Sequence, residues 1–410
     1  MKILQLCKKF PYPLKDGESI AVTYLSKALN QLGCKMTLLT MNTKKHYFNI
    51  NELPDNYDHY QSIHFTDVNN EVKPFDAFLN LFSEDSYHIS RFISPEFELK
   101  LIALLKSNHF DIVQIETVHL APYIPIIRQY SDAKIAMRAH NVEFEIWQRI
   151  ADNTRFFPKK WYLNHLTKKL KRYEVGQLKQ YDMMVAITQR DLDFFKKLGY
   201  KNKGIATPIG LDISDYEPNY KTFNQELSLS FIGALDWMPN YEGLMWFLEN
   251  VWQQLSERFP NLKFHIAGRH TPDSLMNLKM KNVKVYGEIP DANQFINAHS
   301  IMVVPLLSGG GMRAKILEGM ALGKVILSTT LGLEGIEAQH EKEVFIADTP
   351  KEIIENISFA IQNKKHLLRM GQNARSFVTE NFDNLNIARR LEKEYRKMKM
   401  GKLTRNDVMI

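Results

Sequence analysis

Short apolar runs rich in β-branched residues alternate along this chain with longer stretches whose apolar positions recur at helical spacing. Residues 2–7 (KILQLC) read as a first strand, followed by the Pro/Gly loop FPYPLKDGES. Ser19–Leu32 then reads as a helix, with Ala21, Tyr24, Leu25, Ala28, Leu29 and Leu32 on one face and Gly33 as its stop. Met36–Thr40, Phe110–Glu116 (FDIVQIE), Lys134–Arg138 and Met183–Ile187 are further strands, and Thr188 opens a helix that Gly199 ends. Residues 43–97 are polar and aromatic, with weak periodicity and no usable motif. A β-loop-α-β start predicts an α/β fold with a doubly wound parallel sheet, whose ligands gather at the carboxyl ends of the strands.

The pattern lapses over residues 214–226, which are polar and read as a linker, and then restarts. Ser228–Ile232 is a strand, residues 233–240 (GALDWMPN) a loop and Tyr241–Phe259 a helix. Lys263–Ala267 and Val283–Tyr286 are strands; the second leads into Gly287, Glu288, Ile289 and Pro290, and Asp291 caps the next helix. Ile301–Leu307 is a buried strand, followed by a glycine turn, a helix through Leu322, a stop at Gly323 and a strand from Val325 to Ser328. The chain continues through charged helices into the basic amphipathic stretch FDNLNIARRLEKEYRKMKM. The predicted domains are therefore 1–213 and 227–380, with a terminal helix and tail over 381–410.

Composition narrows the class without changing this picture. Apolar residues make up 44% and charged residues 24% of 410, an ordinary globular balance for two domains. The net charge of +7 favours anionic partners, but no aromatic-basic recognition motif accompanies it, so nucleic acid is not an expected partner. Cys7 and Cys34 form neither a disulfide framework nor a metal-ligand spacing. MKILQLCKKF has too short an apolar run for a signal peptide, and no window matches a spanning helix, so a cytoplasmic protein is expected.

The candidate chemistry is concentrated in residues 301–335. Gly309, Gly310 and Gly311 follow the strand, and Met312, Arg313 and Lys315 come next. Such a turn offers backbone N–H groups and two cations above a strand end, which suits phosphates. Glu318, three residues after Lys315, shares its helix face and suits ribose hydroxyls. The stretch is neither a Walker loop nor a G-x-G-x-x-G fingerprint, and a purely structural glycine turn is the alternative.

Pro305, Leu306, Gly309, Gly311, Arg313, Lys315, Leu317 and Glu318 match a pattern P-L-x-x-G-x-G-x-R-x-K-x-L-E. In this the chain resembles the family-4 (group 1) nucleotide-sugar glycosyltransferases. That resemblance implies the GT-B fold: two Rossmann-like domains facing a cleft, with the terminal helix crossing back to the first. It also implies a nucleoside-diphosphate sugar donor, a glycan or lipid-linked acceptor, retention of configuration and no metal or other cofactor. The family carries two glutamates as E-x7-E; Glu318 matches the second, while Gly310 occupies the first. By the same resemblance Gly17, Gly233, Asp236, Glu288, Ile289, Gly309, Gly310, Gly311, Met312 and Glu318 are donor-binding, with Arg313 and Lys315 on the diphosphate. A second glycine of the family's first loop is replaced here by Asp16.

His140 lies just past the strand Lys134–Arg138, within RAHNVEFEIW, and H-N-x-E after a strand also matches this branch. The resemblance makes His140 a catalytic candidate in contact with donor sugar or acceptor, with Asn141 and Glu143 beside it. Residues 155–180 form a basic, aromatic helical region. It reads as a solvated helix with a core stripe of Trp161, Leu166, Leu170 and Tyr173, or as a peripheral contact with an anionic membrane surface. Rival readings of the whole chain are a nucleotide-sugar epimerase or phosphorylase on the same fold, and a non-catalytic nucleotide-binding scaffold.

Overall fold

In the computed structural model, residues 1–14, 17–71, 80, 83–154, 156–309 and 312–400 are described. They fall into two compact units: Met1–Gly210 together with the stretch from Asn384 onward, and Leu211–Asp383.

The first unit is built on a seven-stranded parallel sheet in the order β3-β2-β1-β4-β5-β6-β7. Its strands are β1 (Lys2–Cys7), β2 (Lys35–Thr43), β3 (Tyr60–Val68), β4 (Ile112–Ile115), β5 (Lys134–Ala139), β6 (Met183–Ala186) and β7 (Lys203–Ala206). Successive side chains of a strand point to opposite faces, and here both faces are buried. Leu4, Leu6, Val113 and Ile115 enter one apolar cluster, while Ile3, Cys7 and Ile112 enter another. The second cluster is closed by the helix Gly17–Gln31, through Val22, Leu25 and Leu29, and by the helix Asn384–Met400, through Ile387, Leu391 and Tyr395. Tyr395 is fully buried, and its hydroxyl donates to Gln114 Oε1 at 2.8 Å.

The second unit repeats the plan with six parallel strands in the order β10-β9-β8-β11-β12-β13. These are β8 (Ser228–Ile232), β9 (Lys263–Ala267), β10 (Val283–Gly287), β11 (Ile301–Val304), β12 (Val325–Ser328) and β13 (Val344–Ile346). Along β11, Ile301 and Val303 face one cluster, and Met302 and Val304 the other. In each unit the chain starts mid-sheet, builds outward and then crosses to the other side. The reversal leaves a crevice between β1 and β4 in the first unit and between β8 and β11 in the second.

Several sequence expectations need correction. The strand expected over 301–307 stops at Val304, because Pro305 has no N–H to continue the ladder. The helix expected from Tyr241 begins at Met238 and continues through a π turn (Leu248–Trp252) to Arg258. β3, β7 and β13 were not expected. Residues 214–226, expected as a linker, contain the short turns Ile213–Asp215 and Tyr220–Asn224 and are packed into the second unit. There Phe223 is fully buried, and Lys324 Nζ donates to Asn219 O at 2.6 Å.

The stripe expected in the helix Phe157–Gln177 also changes. Leu166 and Leu170 are buried, but Trp161 is 56% exposed, beside Phe156 at 69% and Phe157 at 77%. Nine residues separate Trp161 from Leu170, and at about 100° per residue they lie about half a turn apart. The two cannot share one core face.

Candidate active site

In the second unit the loops after β8, β9, β10 and β11 meet at the carboxyl edge of the sheet. Gly309 has a φ of +98°, which favours glycine, and a Cβ there would lie 3.1 Å from Arg313 Nη2 and 3.3 Å from the Trp237 ring. The backbone therefore folds tightly over Arg313, which is buried, with its guanidinium 5.4 Å from the Trp237 ring centroid. Burial lowers the Arg313 pKa, and Glu334 opposes that. Arg313 directly precedes the helix Ala314–Ala321, so it sits where that helix presents its free N–H groups. Gly310 and Gly311 lie outside the described residues, and Met312 is partly buried against the apolar cluster beneath.

Lys315 points back into the β8 loop. Its Nζ donates to Ile232 O at 3.1 Å and to Asn240 Oδ1 at 2.8 Å, while Asn240 Nδ2 donates to Ala234 O at 2.9 Å. Burial, reinforced by Arg313 and opposed by Glu318, brings the Lys315 pKa down to about 7. Burial raises the Glu318 carboxyl, with Lys315 opposing. A Cβ on Gly233 would lie 2.7 Å from Asn240 Nδ2 and 3.2 Å from Lys315 Nζ. Gly233, Gly309, Arg313 and Lys315 are thus brought together at the crevice between β8 and β11. Asp236 projects outward, 3.9 Å from His270, and its side chain is 60% exposed. Glu288 is exposed and Ile289 half-buried in the turn after Gly287, whose φ is +71°.

In the first unit His140 follows β5 directly. Its Nε2 lies 2.8 Å from Glu116 Oε2, and Glu116, at the end of β4, is fully buried. Burial alone would raise that carboxyl, but Arg138, then His140 and Gln5, outweigh it and hold the pKa down to about 2. Arg138 Nη1 stands 3.5 Å from Glu116 Oε2 and donates to Ala21 O at 3.0 Å. Gln5 and Gln114 both donate to Glu116 Oε1. An ionised carboxylate can only accept, so Nε2 of His140 carries a proton, and whenever the ring is neutral Nδ1 is its acceptor.

Sequence reading missed Glu116. Its only signal is an acid at the end of an otherwise apolar strand, FDIVQIE. Glu143 is half-buried next to His140 in sequence, with its carboxyl raised by burial. The backbone N–H groups of Glu143 and Phe144 donate to the Glu174 carboxylate at 3.2 and 3.1 Å, which anchors the start of the helix Glu143–Asn153. Gly17 begins the helix Gly17–Gln31; a Cβ there would make only an ordinary contact with Ile209, so packing does not demand a glycine. Asp16 lies outside the described residues.

Comparisons with known proteins bear on the family and the fold. Residues 226–363 match the family model for Glycosyl transferases group 1. An "Uncharacterized 44.6 kDa protein in cps region" of Klebsiella pneumoniae is 24% identical over 271 residues, which are 63% of this chain and 67% of that protein. Among solved structures, sucrose-phosphate synthase from Thermosynechococcus elongatus aligns with a TM-score of 0.64 at 14% identity, covering 97% of this chain and 99% of that one. HepE of Anabaena, in complex with UDP, gives 0.64 at 13% identity, covering 97% and 100%. An E. coli structure described as trehalose-6-phosphate bound with UDP-2-fluoro glucose gives 0.59 at 10% identity, covering 96% and 98%. Residues 226–363 are thereby a Glycosyl transferases group 1 domain, in a chain that has the GT-B fold of two Rossmann-like units.

Proposed function

We propose that this protein transfers a sugar, with retention, from a nucleoside-diphosphate sugar to a hydroxyl of a glycan or lipid-linked glycan. The second unit would hold the donor and the first the acceptor. The observation that carries the reading is the meeting of Arg313, Lys315 and the Gly309 turn at the crevice between β8 and β11. In the reaction the bond from the sugar C1 to the diphosphate oxygen breaks and a bond from the acceptor oxygen to C1 forms. The acceptor's proton goes to the departing diphosphate. Charge grows on that diphosphate as it leaves, so preorganised cations and N–H groups stabilise the transition state more than the ground state. Arg313 and Lys315 would take this role, with Glu318 on the ribose and the Gly233 and Gly287–Ile289 turns lining the rest of the nucleotide. His140, aligned by Glu116, would accept a hydrogen bond from a sugar hydroxyl at Nδ1.

UDP and UDP-glucose appear with structural neighbours, and the Klebsiella relative is named for a cps region; both favour a sugar-nucleotide donor and a role in polysaccharide biosynthesis. No helix among the described residues is long and apolar enough to cross a membrane. The exposed Phe156, Phe157 and Trp161, beside Lys159 and Lys160, support peripheral contact with an anionic membrane. A thermal-shift screen of UDP, GDP, ADP and their sugars tests the donor assignment, because a ligand that binds only the folded state raises the melting temperature. A protein that responds to none of them would sink it.

A further inference from the structure

A cavity of about 800 Å³ opens in the first unit, at the carboxyl edge of its sheet. Lys8 and Lys9 reach it from the end of β1, Lys44 from the end of β2, and Glu143 and Trp147 from the helix after β5. Arg91 and Phe92 close it from the segment after the turn Tyr87–Ser90. Glu143 stands three residues beyond His140, so the cavity adjoins the proposed catalytic histidine.

Among its lining residues four cations stand beside three carboxyls. Lys8 and Lys9 share Glu18, at 3.6 and 3.8 Å, and Lys44 pairs with Glu71 at 3.0 Å. The remaining carboxyl is Glu143, whose pKa burial raises. Arg91 has no carboxylate within ion-pair distance among the described residues. Its Nη1 donates to Asn70 O at 3.2 Å, its guanidinium lies over the Tyr87 and Phe92 rings, and its Nε is buried without a partner. Burial lowers its pKa, yet a guanidinium stays charged. A half-buried cation with no counter-charge is partly desolvated, a cost that an arriving anion would offset.

His88 also lines the cavity, and its Nε2 is buried without a partner. Burial brings the His88 pKa down to about 4, so near neutral pH the ring adds no charge. His88 packs on Trp147 with ring centroids 4.0 Å apart, and His119 meets Phe92 edge-on at 4.9 Å. Aromatic faces beside unsatisfied polar atoms suit a sugar ring, which has apolar C–H faces and a hydroxyl rim.

We infer that this cavity binds an anionic saccharide, resting on the reading of the first unit as the acceptor side. Arg91 pairs with its carboxylate or phosphate, and Trp147 and Phe92 pack on its ring. The acceptor is thus a sugar carrying a negative charge rather than a neutral one. A guanidinium matches either group through two parallel hydrogen bonds, so both sources of charge share one chemistry.

The test titrates the full chain, saturated with UDP, with glucuronic acid, glucose 6-phosphate, glucose and inorganic phosphate, followed by ligand-observed NMR. At least one charged sugar is expected to bind at least about tenfold tighter than both glucose and inorganic phosphate; which one does so identifies the source of the charge. Arg91→Met should remove the advantage over glucose, and Arg91→Lys, which keeps the charge but loses the fork, should retain part of it. Equal binding of glucose and both charged sugars overturns the inference. So does phosphate alone binding as tightly as the charged sugars, or Arg91→Met lowering the melting temperature while the preference stays intact. If Arg91→Met does not fold, Arg91→Lys and the wild-type ranking still decide. UDP binding is read separately: its absence would count against the donor assignment, whereas UDP binding without a charged-sugar preference would count against the cavity alone.

Discussion

Glu116 accepts a 2.8 Å hydrogen bond from His140, joining the ends of two adjacent strands, β4 and β5. The carboxylate is fully buried and is also met by Arg138, Gln5 and Gln114. It fixes the ring's tautomer and orientation rather than touching substrate, so it is a positioning residue.

Glu116→Gln keeps the shape but turns an acceptor-only group into one that also donates. We expect turnover to fall on the order of 10²-fold, the scale of a misaligned polar group in an active site. UDP affinity should be unchanged, since its proposed contacts belong to the second unit. The kcat and KM values of the variant, with a UDP titration alongside, check this; unchanged turnover would remove His140 and Glu116 from the mechanism.

The same residue predicts acid sensitivity. Its folded pKa of about 2 lies below the ordinary value of 4.5, so the ionised form is the one the fold favours. That stability is fully present above about pH 4.5 and is lost as pH falls through the folded value near 2. Urea unfolding from pH 6 to pH 3 should show a steeper loss for wild type than for Glu116→Gln, and parallel curves would refute the pairing.

Lys315 predicts a pH dependence of opposite origin. Burial brings its pKa from 10.5 to about 7, so the ammonium is partly lost above neutrality. A diphosphate beside it favours the charged form, so UDP affinity should fall as pH rises from 7 to 9, by at most ~10-fold per pH unit. Calorimetry in two buffers of different ionisation enthalpy should show proton uptake on binding. Flat affinity with no uptake would place Lys315 as a strut for the Asn240 loop only.

Exposed aromatics predict surface behaviour. Phe156, Phe157 and Trp161 sit at the start of the helix Phe157–Gln177, which carries Lys159 and Lys160 in its first turn. Wild type should sediment with vesicles containing phosphatidylglycerol and not with pure phosphatidylcholine. Replacing all three aromatics by serine should weaken that binding at least ~10-fold, about 1.4 kcal/mol. Equal sedimentation of the two proteins would exclude this face.

Much of the α/β frame was legible, because parallel strands buried on both faces are continuous apolar runs, as in Ile301–Val304. β3 was not: at the sheet edge its residues YQSIHFTDV are only partly buried, and polar side chains break the run. Within the candidate site, local spacing brought out Gly309, Arg313 and Lys315 together. It could not show that Lys315 is held by Asn240, 75 positions earlier, or that His140 leans on Glu116, because such pairings exist only once the sheet has formed. Trp161 was misplaced for a simpler reason, the helical phase relative to Leu170.

The helix Asn384–Met400 has a consequence for biosynthesis. Ile387, Ala388, Leu391 and Tyr395 complete an apolar cluster whose other buried members come from the first 200 or so residues, and Tyr395 satisfies the buried Gln114. Leu211–Asp383 is a continuous stretch that emerges whole from the ribosome, whereas Met1–Gly210 must wait for residues made after it. During synthesis the first sheet therefore spends the translation of the whole second unit with one face sealed only in part, by the helix Gly17–Gln31. In that interval, rather than in the finished protein, aggregation and chaperone engagement are expected to be greatest.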